Sequence, residues 1–407
     1  MFEELIEKYG LTGARPEFYS AWTWQFDADF SGWLSRTYLE DVNARYTRLG
    51  DEAFGALCTA AGALAENPEL CALAAYSRGL LFESGLNEDY LALLGFPRPH
   101  TGIQLLDDFF GLLVHLSGIP VVEQRYARRG IPLEYMQASY NSVRIWVNSF
   151  KAFYGRWGHD RERPRMVYIE HLRIIRIGRL EFETNWFSGK IVILRSRKDG
   201  TVLALSEGGI PVRQDGRISG TNDIWDGQCW YTVFDETQAY YKGHVILPEG
   251  SVSPYVSVCL KSEWEPVARR GQNSVNIHIP RDGRLDIPEA MESIRRACTF
   301  YPEYFPEREF RTFECHTWLF DPQMAELMGD GSNIVRFQRL FYLFPEATDD
   351  GGVRTGAFTE APFELLTWQP ETTLQRRVIE HYRAGGHMFA AGGFILPEGE
   401  MPPRQRN

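Results

Sequence analysis

S-V-N-I-H-I-P-R-D-G-R-L-D-I-P-E-A-M-E-S-I-R-R-A-C-T-F, residues 274–300, followed by R-T-F-E-C-H-T-W-L-F at 311–320, decides how the chain reads. Ser274 to Ile279 is an apolar, β-branched run stopped by Pro280 and an Arg-Asp-Gly loop, the pattern of a strand. Pro288 sits where a first helical turn tolerates it, and Glu289 to Phe300 continues as a helix. Arg311 to Phe320 alternates as a second strand. Pro322 then opens another helix, and Phe337 to Phe344 is an apolar strand or helix. The order is strand, loop, helix, strand, helix.

Upstream the same β character extends through Arg179–Thr184, Lys190–Ser196 and Thr201–Ser206. The last two are joined by Lys198-Asp199-Gly200, a hairpin signal. Trp230–Phe234 and Gly243–Leu247 are further strand candidates, and Met388–Leu396 is the last. Residues 208–228, rich in Gly, Asp and Asn, read as a long loop. The first 160 residues read differently. Helices are expected over Glu52–Ala65 and Glu69–Phe82. A third begins at Thr101 and ends at Gly118-Ile119-Pro120. A long one runs from Pro132 to Phe150, and one from Pro164 to Ile177. The charged segment at 155–163 reads as a linker. The expectation is an α+β chain, with a helical domain over 1–160 and a sheet domain over 161–407.

Composition narrows the function. Among 407 residues, Lys plus Arg number 43 and Asp plus Glu 54, for a net charge of −11. Nucleic acid and anionic membranes need a basic surface, so neither is an expected partner. No apolar run reads as a membrane span. Six scattered cysteines without a C-x-x-C pair imply neither a disulfide framework nor zinc, so reduced thiols, a cytoplasmic location and no metal are expected. Aromatics at 14% suit an apolar pocket. Walker A, Rossmann, nucleophile-elbow and zincin motifs are absent.

Several side chains could carry chemistry. His278 closes a strand beside a Gly loop, where an imidazole can act as a general base. Alternation puts Glu314, His316 and Trp318 on one face of the next strand and Cys315 on the other. Cys315 is a candidate nucleophile, with a buried structural thiol as the alternative. Glu181 and Glu183 share a face and could form an acid–base pair or a solvated surface. Arg281 and Arg284 flank Gly283 ahead of a helix start, an arrangement suited to phosphate.

At these residues the sequence resembles a known family. R-I-G-R-L-E-F-E (176–183), V-N-I-H-I-P-R-D-G-R-L-D (275–286), E-C-H-T-W-L-F-D-P (314–322) and S-N-I-V-R-F-Q-R-L-F (332–341) are similar to segments of bacterial two-domain acyltransferases. In that family an N-acyltransferase N-terminal helical domain precedes a GNAT-like C-terminal domain. The resemblance implies a mixed sheet whose central strands splay to admit an acyl-thioester. Val275–Ile279 would be the splayed strand, Arg281–Asp286 the pyrophosphate loop and Arg311–Phe320 the strand beside the acceptor. The GNAT hexapeptide Q/R-x-x-G-x-G/A is absent. The implied donor is therefore acyl-CoA, an acyl carrier protein or another acyl-thioester. His278 to Gly283 also resembles the H-x-x-x-D-G motif of chloramphenicol-acetyltransferase-like enzymes, whose His is the base and whose Asp holds the loop.

The expected function is transfer of an acyl group from a thioester to the amine or hydroxyl of a small molecule. His278 would be the base, with Glu181 or Cys315 in reserve. Arg281, Gly283 and Arg284 would bind the donor, and His316 and Trp318 the acceptor. A non-catalytic small-ligand-binding protein on the same scaffold is the alternative. A paired-carboxylate hydrolase is disfavoured, because same-strand neighbours do not flank a substrate from opposite sides.

Overall fold

The computed structural model describes residues 2–13, 30–94, 97–159, 163–348, 351–353 and 369–397. The chain divides into two compact units, Met1–Ile177 and Gly178–Asn407.

The first unit is helical. Helices α1 (Phe2–Tyr9) and α2 (Arg36–Val42) precede α3 (Asp51–Ala65) and α4 (Pro68–Phe82). Then come α5 (Glu88–Leu94), α6 (Gln104–Ser117), α7 (Ile119–Arg129), α8 (Leu133–Tyr140), α9 (Ser142–Tyr154) and α10 (Arg163–Glu170). Asn67 caps α4 by accepting the Leu70 N–H, with Pro68 at the tolerant first turn. Leu57, Leu64, Leu73, Phe109 and Leu113 fill the core, each contributing about 1.5–3 kcal/mol by leaving water, with Tyr126 and Tyr140 buried beside them.

One expectation gains an addition here and another changes. The helix expected from Thr101 does end at Gly118, as α6, but a second helix, α7, begins at once, because Pro120 falls in its first turn and costs no hydrogen bond. Together Gln104–Arg129 has the length and composition of a membrane span, yet 72% of its most apolar window is buried within the protein. Gly118 caps both helices, and the position requires glycine because a Cβ there would lie 1.9 Å from the Phe82 ring. Secondly, the helix from Pro164 stops at Glu170. The run Ile174–Ile177 forms strand β1, its branched side chains fitting a pleat better than a helix.

The unit boundary therefore falls after β1, later than the linker reading of 155–163. Arg176 N–H donates to Ser139 Oγ at 2.9 Å and Tyr168 reaches Asp89, ties that keep this segment with the helices. Residues 160–162 of that segment lie outside the described residues.

The second unit holds two main sheets. One runs β2 (Leu180–Trp186), β11 (Asn273–His278), β12 (Thr312–Thr317), β14 (Ala391–Ile395), β13 (Tyr342–Pro345). The other runs β10 (Trp264–Arg269), β3 (Ile191–Ser196), β4 (Val202–Ser206), β8 (Tyr240–Ile246), β7 (Phe234–Glu236), with β9 (Val252–Leu260) also on β8. A small ribbon pairs β5 (Pro211–Val212) with β6 (Trp230–Tyr231).

In the first sheet β11 and β12 are parallel, while their outer neighbours are antiparallel, so the sheet is mixed. A parallel pair needs a crossover, supplied by α11 (Ile287–Tyr304). Asp286 caps α11, accepting the Glu289 N–H. Tyr301 packs on Phe313 and donates to the carbonyl of Phe182, which places α11 on one face of the sheet. On the other face, Tyr342, Phe344 and Phe394 join Ile191, Ile193 and Ala204 of the second sheet in a core. Helices α12 (Met324–Met328), α13 (Asn333–Gln338) and α14 (Thr373–Arg383) also belong to the unit. The sequence reading passed over β9 and β10, each interrupted by a proline. Pro266 lies at an irregularity in the β10–β3 ladder, where a missing N–H is tolerated.

Candidate active site

The parallel ladder between β11 and β12 has three rungs: Ser274 with Thr312, Val275 with Phe313 and Asn276 with Glu314. Beyond Asn276, β11 follows β2, with Ile277 opposite Phe182 and His278 opposite Glu181. Beyond Glu314, β12 follows β14, with Cys315, His316 and Thr317 opposite Gly393, Gly392 and Ala391. The two central strands part at this point.

The face away from α11 is polar around the parting. His278 is half-buried, and its Nε2 lies 2.8 Å from Glu183 Oε2. An Nε2–H donated to that carboxylate leaves Nδ1 as the ring's acceptor. Glu181, opposite His278 in register, is buried too. His316 lies between two carboxylates, with Nε2 3.0 Å from Glu314 Oε2 and Nδ1 2.8 Å from Glu346 Oε1. Burial opposes its protonation, but the hydrogen bonds to Glu314 and Glu346 win, and the imidazole is raised to about 10. Ser188 Oγ also sits 3.2 Å from Nε2.

The loop after β11 is held from beneath by Arg179. Its Nε and Nη2 donate to the carbonyls of Arg284 (3.0 Å) and Gly283 (2.9 Å), and its Nη1 is 3.5 Å from Asp282. In a planar trans peptide the N–H points opposite to its carbonyl. The amides of Arg284 and Leu285 therefore face away from Arg179. Arg281, Gly283 and Arg284 are exposed on this loop.

Two proposed site residues sit elsewhere. Cys315 lies on the α11 side of β12, buried, and burial pushes its thiol well above the ordinary range. A protonated, packed thiol is not a nucleophile, so the covalent role considered for it has no physical support. Trp318 is not on the polar face, because β12 ends at Thr317 and Trp318–Phe320 turns into a short 3-10 helix. Its ring packs with Met324, Val335 and Met388 in an apolar cluster. Sequence reasoning missed Arg179, Asn276, Ser188 and Glu346. Glu346 is thirty residues from His316 and no local pattern joins them. Arg179 had a visible signal, as a basic residue at the mouth of a strand carrying two glutamates.

Comparison with known proteins agrees with this architecture. Residues 174–395 match the family described as GNAT-like C-terminal domain, and residues 39–163 match the N-acyltransferase N-terminal domain. The chain belongs to the two-domain N-acyltransferases and is an enzyme of acyl transfer. No curated protein matches it in sequence. Among solved structures it is similar to an acyltransferase in complex with decanoyl-CoA and teicoplanin. That match has 20% identity and a TM-score of 0.61, and covers 88% of each chain. It is also similar to an acyltransferase mutant in complex with octanoyl-CoA, at 20% identity and a TM-score of 0.60, covering 88% of this chain and 87% of the other. At such identity the likeness establishes the fold.

Proposed function

We propose that this enzyme moves an acyl group from an acyl-CoA to an amine of a small molecule in one direct step, with His278 as the base. The observation that carries this is the end of the β11–β12 ladder at Asn276 and Glu314, one turn of the pleat from the His278–Glu183 pair. The parted strands give a thioester an entry into the sheet. Exposed Arg281 and Arg284, with outward amides over the Arg179 clamp, fit the phosphates of CoA. Solved structures of this fold hold octanoyl-CoA and decanoyl-CoA, which favours a medium-chain donor here.

In the reaction the acceptor nitrogen attacks the thioester carbonyl and a C–N bond forms. His278 takes the proton from that nitrogen, with Glu183 fixing the ring and stabilising the imidazolium. The C–S bond breaks, and His278 returns the proton to the departing thiolate, giving an amide and free CoA. Thermal-shift titration with CoA, acetyl-CoA, octanoyl-CoA and decanoyl-CoA tests the donor site. Ligand at about 100 times its Kd adds about 2.7 kcal/mol. His278→Ala should lower kcat about 10²–10⁴-fold while keeping the decanoyl-CoA shift. No shift with any thioester, or a fully active His278→Ala enzyme, refutes the proposal.

A further inference from the structure

Glu314 is completely buried and uses one of its two oxygens. Oε2 accepts from the His316 ring at 3.0 Å and, more weakly, from the Ser188 N–H at 3.4 Å. Oε1 is sealed from solvent and meets no donor among the described residues. Across the last rung of the parallel ladder, Asn276 Oδ1 is in the same condition. Alternation puts both side chains on the polar face, so two unmet acceptors stand together where the strands part. A buried carboxylate oxygen without a donor is costly, and proteins rarely leave one so.

We infer that Glu314 Oε1 and Asn276 Oδ1 form the binding site for the acceptor's ammonium group. The inference rests on the acyl-transfer reading and assigns the acceptor a cationic primary amine. An alcohol brings one donor and no charge, which leaves one of the two oxygens unmet. An ammonium brings three donors and a positive charge, enough for both oxygens with one N–H to spare. The local charge agrees: Glu183, Glu314 and Glu346 face this region, against the imidazolium of His316. His278 is two residues beyond Asn276 on the same face, about 7 Å along the strand. An amine held at Asn276 therefore sits within one side chain's reach of the base. The ammonium first gives one proton to solvent. The neutral amine then attacks the thioester and gives its second proton to His278, which passes it to the thiolate. The sum is ammonium plus acyl-CoA yielding amide, free CoA and one proton.

The test uses the full chain with decanoyl-CoA as donor and three matched acceptor pairs: glucosamine and glucose, phenethylamine and phenethyl alcohol, teicoplanin and its N-acetylated form. CoA release is followed by thiol titration, and decanoyl-CoA affinity by calorimetry. The amines should turn over and their uncharged partners should not. Glu314→Gln should raise the amine KM about ten- to hundredfold, the weight of one charged hydrogen bond, with decanoyl-CoA affinity retained. Because Glu314→Gln also disturbs His316, Asn276→Asp is the second variant. It adds a carboxylate where the ammonium would lie and should lower the amine KM, an improvement that a purely structural role would not give. Equal turnover of amines and alcohols, no amine turnover above hydrolysis, or unchanged KM in both variants overturns the inference. Loss of decanoyl-CoA binding by the unaltered enzyme would instead overturn the acyl-transfer reading on which it rests.

Discussion

His316 gives the most quantitative prediction. Its ring is clasped by Glu314 and Glu346 and is raised to about 10, against an ordinary histidine value near 6.5. A histidine raised on folding stabilises the protein fully below the unfolded value, where both states hold the proton. The benefit is lost as pH climbs through the folded value. Between pH 6.5 and about 10 only the folded chain keeps this proton, so stability falls by about 1.4 kcal/mol per pH unit. Over that interval the total is about 4–5 kcal/mol. A quarter of the side chain is exposed, which argues for about 3–4 after solvent screening. The direct assay is a histidine-selective NMR titration. The chain has nine histidines, and the His316 signal is assigned by its disappearance in His316→Gln. Its ring signals should stay in the protonated position through pH 8. Urea unfolding of His316→Gln should show a shallower loss of stability from pH 7 to 10 than the unaltered protein. A His316 resonance titrating near pH 6.5, or parallel stability curves, would refute the reasoning.

Three further outcomes follow from the site. Arg179→Met keeps the aliphatic packing and removes the donors to Gly283 and Arg284; losing a charged donor to each carbonyl should raise the acyl-CoA KM about tenfold or more, with a smaller change in kcat, read by steady-state kinetics. Cys315→Ala should keep kcat within about tenfold, since its buried, protonated thiol takes no covalent part; in the native protein Cys315 should resist iodoacetamide until unfolding, as followed by peptide mass spectrometry. Gly392→Ala should cost about 1–3 kcal/mol, measured as a fall in Tm, because its Cβ would meet the Phe344 ring at 2.2 Å.

The helical half and the strand–helix–strand core of the sheet domain were legible because their periodicities agree with their burial. Asp51–Ala65 and Asn273–His278 lie within two residues of where pattern placed them. The breaks were less legible. Pro120 reads as a stop, and α6 does end there, but it also lies in the first turn of a new helix; Asn141 carries no such signal and yet separates α8 from α9 inside the stretch that reads as one helix from Pro132 to Phe150. His278 was nominated by its place at a strand end, and Glu183 by sharing a face with Glu181. The link between them is diagonal across an antiparallel ladder, and a register cannot be read from either strand alone. The same holds for Glu346 and His316. Alternation placed Cys315 correctly on the opposite face from Glu314 and His316, while Trp318 failed because the strand ended at Thr317, three residues sooner than its pattern.

The short parallel ladder also governs how the sheet behaves as a material. Three rungs join a β2–β11 ribbon to a β12–β14–β13 ribbon, and past them each ribbon presents backbone groups to the gap. Such inner amides lie deep in the unit yet have the hydrogen-bonding status of an edge. Their hydrogen exchange should track local opening of the gap rather than their depth. A ligand with amides of its own would close the seam, slow that exchange and make the two ribbons unfold as one.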